Sequence, residues 1–369
     1  MRFKNVALFG ENFKFSYTDV CVENGVFSDS SDGEVIDCDG LMMLPGFVDI
    51  HTHGAIGYEA KDGSFGALEA LSRFEAEHGI TAFLPTTSTQ SVEELKTAVK
   101  AIAEAKMLVS GAKIGGIHME GPYFSMKYKG AQNPEYIRYP NADEFFEINK
   151  SSGYLVKLIS IAPENEGAEE FIKAVKGQVK VAAGHTDADY DTMVKAIGFG
   201  VTHLTHSFNA MRGLHHRNPG AIGAAIDSDI FCELICDGMH VHPAMVRLFY
   251  KAVGAERLVL ISDSLRSAYL PDGEYDSCGL KIFVKDGKAT LEDGTIAGSS
   301  STLFDCFRQA VSFGIPLEDA VRAATYNPAK AVGIDNEYGV IKNGRSADFI
   351  LIDDFLNLKA VYVNGKKIK

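Results

Sequence analysis

Apolar runs of strand length recur along most of the chain, and stretches with helical periodicity lie between them. One helical stretch, 91–108, begins with Ser91 and Glu94 in capping-box positions, and another, 243–252, has Pro243 in its first turn. Alternating strand and helix patterns indicate parallel βα units. Eight such runs predict an α/β fold, a (β/α)8 TIM barrel. The runs are 47–50, 81–85, 113–118, 155–161, 179–184, 201–205, 232–236 and 258–262.

The two chain ends have a different pattern, with short alternating segments separated by turn residues. We infer that they share one small β-sandwich domain. Near the end of the barrel pattern, 280–291 contains an Asp286-Gly287 turn typical of a β-hairpin. The predicted domains are therefore a first part of the β-sandwich, a barrel with a hairpin insertion near 278–293, and a second part of the β-sandwich, at 1–45, 46–334 and 335–369.

Composition narrows the class of protein and its partners. Of 369 residues, 46% are hydrophobic and 23% charged. Since no apolar run reaches the ~20 residues that cross a bilayer, no membrane partner is expected. A net charge of −13 repels nucleic acid, so a phosphate on a ligand would need specific basic residues. The cysteines lack framework spacing and the N-terminal residues lack a signal-peptide pattern, so we expect a cytoplasmic protein.

A His-x-His pair follows the first apolar run. Because side chains alternate faces along a strand, His51 and His53 project to the same side and could ligate one cation. The pair alone fits surface histidines in a loop equally well. However, all but one of the 11 histidines lie near predicted strand ends, where barrels carry their chemistry. This distribution favours a metal site at that end of the barrel, where the other residues at the strand ends are Thr86, His118, Glu120, Glu164, His185, His203, His206, Asp237, His240 and Asp263.

Six motifs, in order, resemble those of the amidohydrolase superfamily, and more closely those of the N-acetylglucosamine-6-phosphate deacetylase family. The resemblance covers essentially the whole chain. The motifs are LPGFVDIHTHG at 44–54, HMEGPY at 118–123, AGHT at 183–186, THSFNAM at 205–211, DGMHV at 237–241 and SDS at 262–264.

The resemblance implies a metal site and a catalytic group. Glu120, His185 and His206 would hold the principal metal, and His51 and His53 would contribute to a second site. One or two divalent ions per subunit are implied, with Zn²⁺ favoured and Fe²⁺ as the alternative. Glu120 would take the bridging role that a modified lysine has in many superfamily members. Asp263 would be the catalytic carboxylate, although a ligand or a loop cap is a second interpretation.

The resemblance also implies how substrate is held. Asn209 and Ala210 would offer backbone amides, His240 would contact the sugar, and Ala131 and Gln132 would also line the substrate site. Arg217 would bind a sugar phosphate through its guanidinium fork. In this family the loop carrying that arginine reaches into the neighbouring subunit, so a homodimer with a shared active site is implied. Arg217 could instead be a solvated loop charge.

The chain departs from the family pattern at three places. Gln132 occupies a position where some members carry a histidine that polarises the carbonyl, and glutamine can donate a hydrogen bond but cannot carry a positive charge. The ligand on the sixth strand could be His203, although the residues that follow favour His206. Arg266, near the barrel mouth, could alter sugar selectivity.

The chemistry of amide hydrolysis fits these residue types. A divalent cation polarises a carbonyl and lowers the pKa of water toward ~7, and a carboxylate such as Asp263 can move a proton from water to the departing amine. We therefore predict a deacetylase of N-acetylglucosamine 6-phosphate, in amino sugar catabolism. The alternatives are another hydrolase of the superfamily, acting on a cyclic imide, a ureido compound or an N-acyl amino acid, and a non-catalytic metal-binding scaffold. Metal content and a substrate panel distinguish them.

Overall fold

The computed structural model describes residues 1–277 and 279–369. Its strands are β1 (Arg2–Phe9), β2 (Phe15–Glu23), β3 (Val26–Ser28), β4 (Val35–Asp37), β5 (Leu41–Pro45), β6 (Phe47–Thr52), β7 (Gly54–Ala55), β8 (Tyr58–Glu59), β9 (Ile80–Thr87), β10 (Lys113–Ile114), β11 (Ile117–Glu120), β12 (Val156–Ile161), β13 (Lys180–Ala183), β14 (Val201–Leu204), β15 (Phe231–Ile235), β16 (Leu258–Ile261), β17 (Gly273–Ser277), β18 (Leu280–Lys285), β19 (Lys288–Thr290), β20 (Phe349–Asp353), β21 (Leu358–Val363) and β22 (Lys366–Lys367). Its α-helices are α1 (Phe65–Glu77), α2 (Val92–Ala105), α3 (Ala142–Ser151), α4 (Ala168–Val175), α5 (Tyr190–Phe199), α6 (Gly220–Ile226), α7 (Pro243–Val253), α8 (Leu303–Ser312), α9 (Leu317–Ala324) and α10 (Tyr326–Val332). None of the helices in the described residues is both long and apolar enough to span a bilayer.

The central sheet is a nearly closed parallel barrel. Its strands follow one another in the order β6, β9, β11, β12, β13, β14, β15 and β16, and one of the helices α1 to α8 follows each of them in the chain. The first and last strands meet at their carboxyl ends, where the Asp263 N–H donates to the His51 carbonyl at 2.8 Å and the His53 N–H donates to the Ser264 carbonyl at 2.9 Å. The predicted (β/α)8 barrel is confirmed, and its closing seam joins three of the predicted site residues.

The two chain ends build a second sheet, in the order β22-β21-β20-β5-β1-β2-β3, with β4 paired to β1. This sheet folds over its own core: the rings of Phe27 on β3 and Phe349 on β20 lie 5.8 Å apart, although three strands separate them in the sheet. Phe3 also packs edge-on against Phe349 and Tyr362. The predicted β-sandwich from both ends is therefore confirmed, with its two layers formed by one continuous sheet.

A single residue, Gly46, separates the terminal sheet from the barrel. β5 pairs with β1 and β20 in the terminal sheet and ends at Pro45, and β6 of the barrel begins at Phe47. A Cβ at Gly46 would lie 2.0 Å from Thr81 Oγ1 on the neighbouring strand. Glycine is therefore required here because the two sheets meet with no room for a side chain.

A three-stranded antiparallel sheet, β17-β18-β19, follows the eighth barrel strand. Its β18–β19 hairpin turns at Asp286 and Gly287, as the sequence predicts. The sheet begins at Gly273, earlier than the insertion predicted near 278–293, because β17 pairs with β18. Cys278, the first residue of that predicted insertion, lies outside the described residues.

Two predicted elements differ from the structure. The run 113–118 is divided into β10 and β11 at Gly115 and Gly116, where a Cβ at Gly116 would lie 2.3 Å from the Lys157 side chain. The helix predicted over 91–108 ends at Ala105, and Leu108 is exposed. In both cases the apolar pattern of the sequence continues beyond the residue at which the strand or the helix ends.

Candidate metal centre and active site

Five side chains converge at the carboxyl end of the barrel. The ligand atoms of His51, His53 and Glu120 lie within 4.8 Å of one another, and so do those of Glu120, His185 and His206. All five residues are buried. Glu120 belongs to both groups, so the arrangement is two overlapping three-ligand sites that share one carboxylate.

The backbone turns three of the predicted site residues toward the barrel axis in the same way. His185, His206 and Asp263 each stand two residues beyond the last residue of a strand, at φ values of 45°, 26° and 49°. Residues other than glycine rarely adopt this left-handed region, and such strain costs about 1–3 kcal/mol per residue. The strain is concentrated where the side chains have to point over the barrel end.

Glu120, the last residue of β11, is the hub of the cluster. Its Oε1 lies 3.1 Å from His206 Nε2, 3.2 Å from His185 Nε2 and 3.4 Å from His51 Nε2. Its Oε2 lies 3.2 Å from His53 Nε2. Burial alone would raise the pKa of this carboxyl, but the surrounding imidazoles lower the pKa well below its usual range. Glu120 is therefore ionised, and both groups share its carboxylate.

The hydrogen-bond roles around His185 fit a cation ligand. Its Nδ1 lies 3.1 Å from the Tyr128 carbonyl, which can only accept, so Nδ1 is a donor and Nε2 is the nitrogen left to bind a cation. That nitrogen faces the Glu120 carboxylate at 3.2 Å, and His206 Nε2 lies 3.1 Å away from it. Two imidazole nitrogens and a carboxylate oxygen that face one point in a buried space are a set of ligands that suits a divalent cation.

His51 has the same character in the second group. Its Nδ1 lies 3.0 Å from Glu233 Oε2, and its buried Nε2 has no hydrogen-bond partner. Nε2 instead faces two carboxylates, at 3.4 Å from Glu120 and 3.5 Å from Asp263. His53 Nδ1 is held by the Ser88 hydroxyl at 3.2 Å. The nitrogen and oxygen donors of this group also fit a transition metal such as zinc or iron.

Asp263 lies beside both groups. Its Oδ1 is 3.5 Å from His51 Nε2 and 3.4 Å from His53 Nε2, and its N–H is tied to the His51 carbonyl. The carboxylate also lines the cavity above the cluster. Asp263 is thus placed to contact both a metal ion and a bound substrate, as a base would need to be.

A cavity of about 300 Å³ opens above the cluster. The other predicted substrate residues that line it are Ala131, Gln132, Asn209, Ala210 and His240. His240 is oriented by Asp237, whose Oδ2 lies 2.7 Å from its Nδ1. Burial acts to raise the pKa of Asp237, but the hydrogen bonds from His240 and Met239 lower it. All the predicted substrate contacts except Arg217 therefore meet in one cavity.

Arg217 lies outside this cavity in its own chain. It is exposed, and its Nη1 contacts His216 Nε2 at 2.8 Å. The loop that carries it borders a separate surface depression formed with Asp189, Tyr190 and Arg212. A single chain therefore does not bring Arg217 to the predicted phosphate position.

Three of the histidines near strand ends, His118, His203 and His242, lie outside the cluster. His203 lies within β14, before the strand end, with its ring 5.7 Å from the Phe231 ring, so it does not reach the cluster; burial lowers its pKa to about 3. His118 lies inside the barrel, with its ring nitrogens 3.1 Å from the Ile50 carbonyl and 2.8 Å from Ser160 Oγ. His242 caps α7. Of the two candidates on the sixth strand, it is His206 that lies in the cluster around Glu120.

Two other departures from the family pattern have defined positions. Gln132 Oε1 accepts from the Thr89 N–H at 2.9 Å, so its amide nitrogen points at Glu120 Oε2, 2.5 Å away. The Arg266 guanidinium is paired with Glu59 and Asp62 and is not among the residues that line the cavity. Gln132 therefore contacts the carboxylate that the two groups share, and Arg266 contacts the loop residues Glu59 and Asp62 beside the site.

Sequence reasoning missed several residues that shape the site. Glu233, Ser88 and Ser277 contact the cluster or line the cavity, as does the loop at 295–298. A signal was available for Glu233, since an acidic residue inside the apolar run 232–236 must face a polar interior. Ser277 and the loop give no such signal, because only the folded insertion brings them to the cavity.

The comparisons with known proteins agree with this geometry. Residues 42–368 match the family model for the Amidohydrolase family. The chain is 38% identical to an N-acetylglucosamine-6-phosphate deacetylase of Bacillus subtilis (strain 168), over 84% of this chain and 80% of the relative. It is 34% identical to an N-acetylgalactosamine-6-phosphate deacetylase of Escherichia coli O157:H7, over 90% of this chain and 89% of the relative.

A solved structure shares the fold over the whole chain. It is a substituted form of the N-acetyl-D-glucosamine-6-phosphate deacetylase of Mycobacterium smegmatis, in complex with N-acetyl-D-glucosamine-6-phosphate. Its TM-score is 0.91 at 32% identity, covering 100% of this chain and 99% of that one. The chain therefore belongs to the amidohydrolase family and, within it, to the N-acetylglucosamine-6-phosphate deacetylase family.

Proposed function

We propose that this chain hydrolyses the N-acetyl amide of N-acetylglucosamine 6-phosphate to glucosamine 6-phosphate and acetate, using a divalent metal. The main observation in support is the position of Asp263, whose Oδ1 lies 3.4 Å from His53 Nε2. Asp263 is thereby beside the two three-ligand groups, which share Glu120. This combination supplies a metal site and a proton carrier at one end of one cavity. The names of the relatives support the substrate.

The chemistry divides between the metal and the protein. A bound divalent cation would polarise the amide carbonyl and acidify water. Asp263 would accept the proton of the attacking water as the C–O bond forms, and would deliver it to the nitrogen as the C–N bond breaks, so that the amine leaves neutral. Glu120, His51, His53, His185 and His206 would hold the metal. Gln132 would orient the bridging carboxylate through its amide nitrogen.

The sugar would be held by the cavity wall. Asn209 and Ala210 would offer backbone N–H groups, His240 would hydrogen-bond a hydroxyl through the nitrogen that Asp237 leaves available, and Ala131 would pack against the substrate. Backbone donors suit a neutral sugar because they fix its orientation without adding charge.

Phosphate recognition calls for a second subunit. Among the described residues, those that line the cavity include no lysine or arginine, and the net charge of the chain is −13. A phosphate bound there needs a cation, and a guanidinium fork matches it well. We therefore propose a homodimer in which Arg217 of the partner subunit completes each site. The exposed position of Arg217 in its own chain is consistent with this exchange.

The metal and the compartment belong to the same proposal. Imidazole and carboxylate ligands suit Zn²⁺, with Fe²⁺ as the alternative, and the two ligand groups allow one or two ions per subunit. A sugar phosphate is charged and does not cross a bilayer unaided. The enzyme would therefore work where the phosphorylated sugar is made, in the cytoplasm.

The test combines metal content with a substrate panel. Purified full-length protein should contain about one to two equivalents of a transition metal per chain, and removing the metal with a chelator should abolish turnover. N-acetylglucosamine 6-phosphate should have a higher kcat/KM than unphosphorylated N-acetylglucosamine and N-acetyl amino acids. Full activity without metal would contradict the metal mechanism. Preference for an N-acyl amino acid, a ureido compound or a cyclic imide would contradict the substrate.

N-acetylgalactosamine 6-phosphate is the second candidate substrate, because one of the relatives is named for it. The two sugars differ only in the configuration at one hydroxyl, which a single hydrogen bond in the cavity can distinguish. Including both phosphates in the panel gives their kcat/KM ratio directly. A ratio favouring the galacto substrate would reassign the sugar and leave the metal chemistry intact.

A further inference from the structure

Glu233 is a fully buried carboxylate directly behind the cluster, on the seventh barrel strand β15. Its Oε2 lies 3.0 Å from His51 Nδ1 and accepts from the His206 backbone N–H at 3.2 Å. It therefore contacts one residue from each of the two ligand groups while lying outside both of them.

The fold alone does not account for an acid at this position. Within residues 1–277 and 279–369, the ion pairs found for Glu233 involve no lysine or arginine, and its Oε1 has no hydrogen-bond partner. Burying a carboxylate without a cation is costly, and an apolar residue of similar size would stabilise the barrel interior better. A group kept at such a cost has to act on what it contacts, and the side chain it contacts is His51.

The contact fixes the chemical form of the His51 ring. An ionised carboxylate can only accept, so Nδ1 carries a proton and Nε2 is the nitrogen left to face Glu120 and Asp263, where it would bind a cation. Carboxylates behind metal-binding histidines orient the ring and raise its basicity. The support of His53 is weaker, because the Ser88 hydroxyl can donate or accept and leaves the tautomer open.

The contact with His206 is of another kind. It reaches the backbone, and the segment around it is also held by the Ser207 N–H donating to the Glu233 carbonyl and the Thr205 N–H donating to the Ala183 carbonyl, both at 2.9 Å. These backbone bonds persist when the Glu233 side chain changes. Losing the carboxylate should therefore disturb the His51 ring much more than the His206 ligand.

We propose that Glu233 is a positioning residue that sets the metal affinity of the His51, His53 and Glu120 group and leaves that of the Glu120, His185 and His206 group nearly unchanged. The inference rests on the proposed metal-dependent function and concerns which of the two groups loses its ion first. The expected effect of losing such a support is a ~10–100-fold drop in affinity for one equivalent of metal.

The test compares three variants of the full-length protein loaded with zinc. Glu233→Leu removes the acceptor. Glu233→Gln keeps an oxygen that can accept both hydrogen bonds. Cys232→Ala, whose side chain points to the opposite face of the same strand, is the control for weakening the strand. Each protein is dialysed against graded concentrations of a zinc chelator, and the metal per chain is measured by mass spectrometry. Circular dichroism and thermal unfolding show that each variant is folded.

The expected result has three parts. The wild type and Cys232→Ala should release two equivalents at similar chelator concentrations. Glu233→Leu should lose one equivalent at ~10–100-fold lower free chelator and keep the other, and Glu233→Gln should recover most of that loss. If Glu233→Leu does not fold, Glu233→Asn replaces it, because the amide oxygen of this shorter side chain does not reach His51. Glu233→Asn is then compared with Glu233→Gln.

Other outcomes overturn the inference. Release curves for the acceptor-deficient variant that match the wild type, or that shift both equivalents together, would remove Glu233 from this role. Binding of a single equivalent by the wild type at saturation would also overturn it, and would leave the proposed hydrolysis standing. A wild type that holds no transition metal while remaining active would instead contradict the proposed metal-dependent function itself.

Discussion

Asp263 is the residue on which the proposed proton transfer depends, and it can be tested without changing its shape. Asp263→Asn keeps the side-chain volume and removes the proton acceptor, so turnover should fall by a factor on the order of 10² to 10⁴. Metal content should change little, since Glu120 and the histidines remain. Steady-state kinetics and elemental analysis of the same preparation give both values. Near-normal turnover would take the base role away from Asp263, and loss of metal would make it chiefly a ligand.

Glu75 gives a prediction for the pH dependence of stability. It is buried on α1, accepts from Thr52 Oγ1 at 3.2 Å, and has no lysine or arginine in the ion pairs of the described residues. Burial, and then the nearby Asp49 carboxyl, raise its pKa well above the ordinary glutamate value. The folded chain therefore binds the Glu75 proton more tightly than the unfolded chain does.

The sign of the effect follows from this difference. The contribution of Glu75 to stability is present below the unfolded pKa and is lost as pH rises through the folded pKa. Glu75→Gln should therefore show a growing advantage in unfolding free energy over the wild type as pH rises above about 4.3, the ordinary pKa of glutamate. Urea unfolding at several pH values measures it. Glu77→Gln, an exposed neighbour on the same helix, should give a flat difference. A loss of stability at the higher pH would mean that Glu75 is ionised and paired in the fold.

At this scale, residue type and position predicted which side chains could meet, but not their final directions. Strand periodicity was sufficient to select His51 and His53 as neighbours, whereas Glu120 was grouped with histidine ligands only through the family resemblance. Periodicity could not separate His206 from His203, because that choice depends on a left-handed backbone at His206, two residues beyond the strand. Such a conformation leaves no mark on residue type outside glycine, asparagine and aspartate.

The barrel elements were predictable because apolar runs of strand length alternate regularly with stretches of helical periodicity. Errors arose where glycines divide a run, as at Gly115 and Gly116, since periodicity does not report a change of direction. The insertion was recognisable from its Asp-Gly turn. Its contribution to the cavity, through Ser277 and Ile282, was not recognisable, because the contacts link positions far apart in the chain.

Arg266 shows how these elements are tied together. Its Nη2 pairs with Glu59 Oε2 at 3.2 Å and with Asp62 Oδ1 at 2.7 Å, and buried Glu59 also accepts from the Ser277 hydroxyl at the end of β17. The ion pair therefore joins the turn after His53, the loop after β16 and the insertion. Its place is structural, beside the cavity and not in it.

Arg266→Gln should consequently reduce stability and leave sugar preference unchanged. Removing the guanidinium takes an ion-pair partner away from the buried Glu59 carboxylate, which costs about 1–3 kcal/mol of unfolding free energy. The ratio of kcat/KM for the two N-acetylhexosamine phosphates should stay at its wild-type value. Lys281→Gln is the matched control, since Lys281 forms an exposed pair with Glu274 on the same insertion and should cost less than about 1 kcal/mol. A changed sugar ratio in Arg266→Gln would return this residue to substrate selection.

At the scale of the whole molecule, the two chain ends form one small β-sandwich and the residues between them form the barrel, and the sequence predicted both. Among the residues that the structure describes, no lysine or arginine lines the cavity, so the lining of one chain offers no Lys or Arg cation to a phosphate. The acidic net charge makes this more pronounced, because long-range electrostatics alone would disfavour a phosphorylated ligand. The resemblance implied a shared site, and the exposed Arg217 loop is the part of the chain that would provide it.

Two variants together test whether sites are shared between subunits. Arg217→Ala should weaken kcat/KM for the phosphorylated substrate by ~2–5 kcal/mol, the range for losing one member of a close charge pair at an interface. Use of unphosphorylated N-acetylglucosamine should hardly change, because no charge pair is lost with that substrate.

If Arg217 reaches across a dimer interface, mixing Arg217→Ala subunits with Asp263→Asn subunits creates mixed dimers in which one site has both a wild-type Arg217 and a wild-type Asp263. Subunit exchange should then restore activity that neither variant has alone, and mixing two samples of the same variant is the control. An exchange-competent mixture that stays inactive, or an Arg217→Ala variant that loses both substrates equally, would place Arg217 outside phosphate recognition and return the substrate assignment to the broader amidohydrolase family.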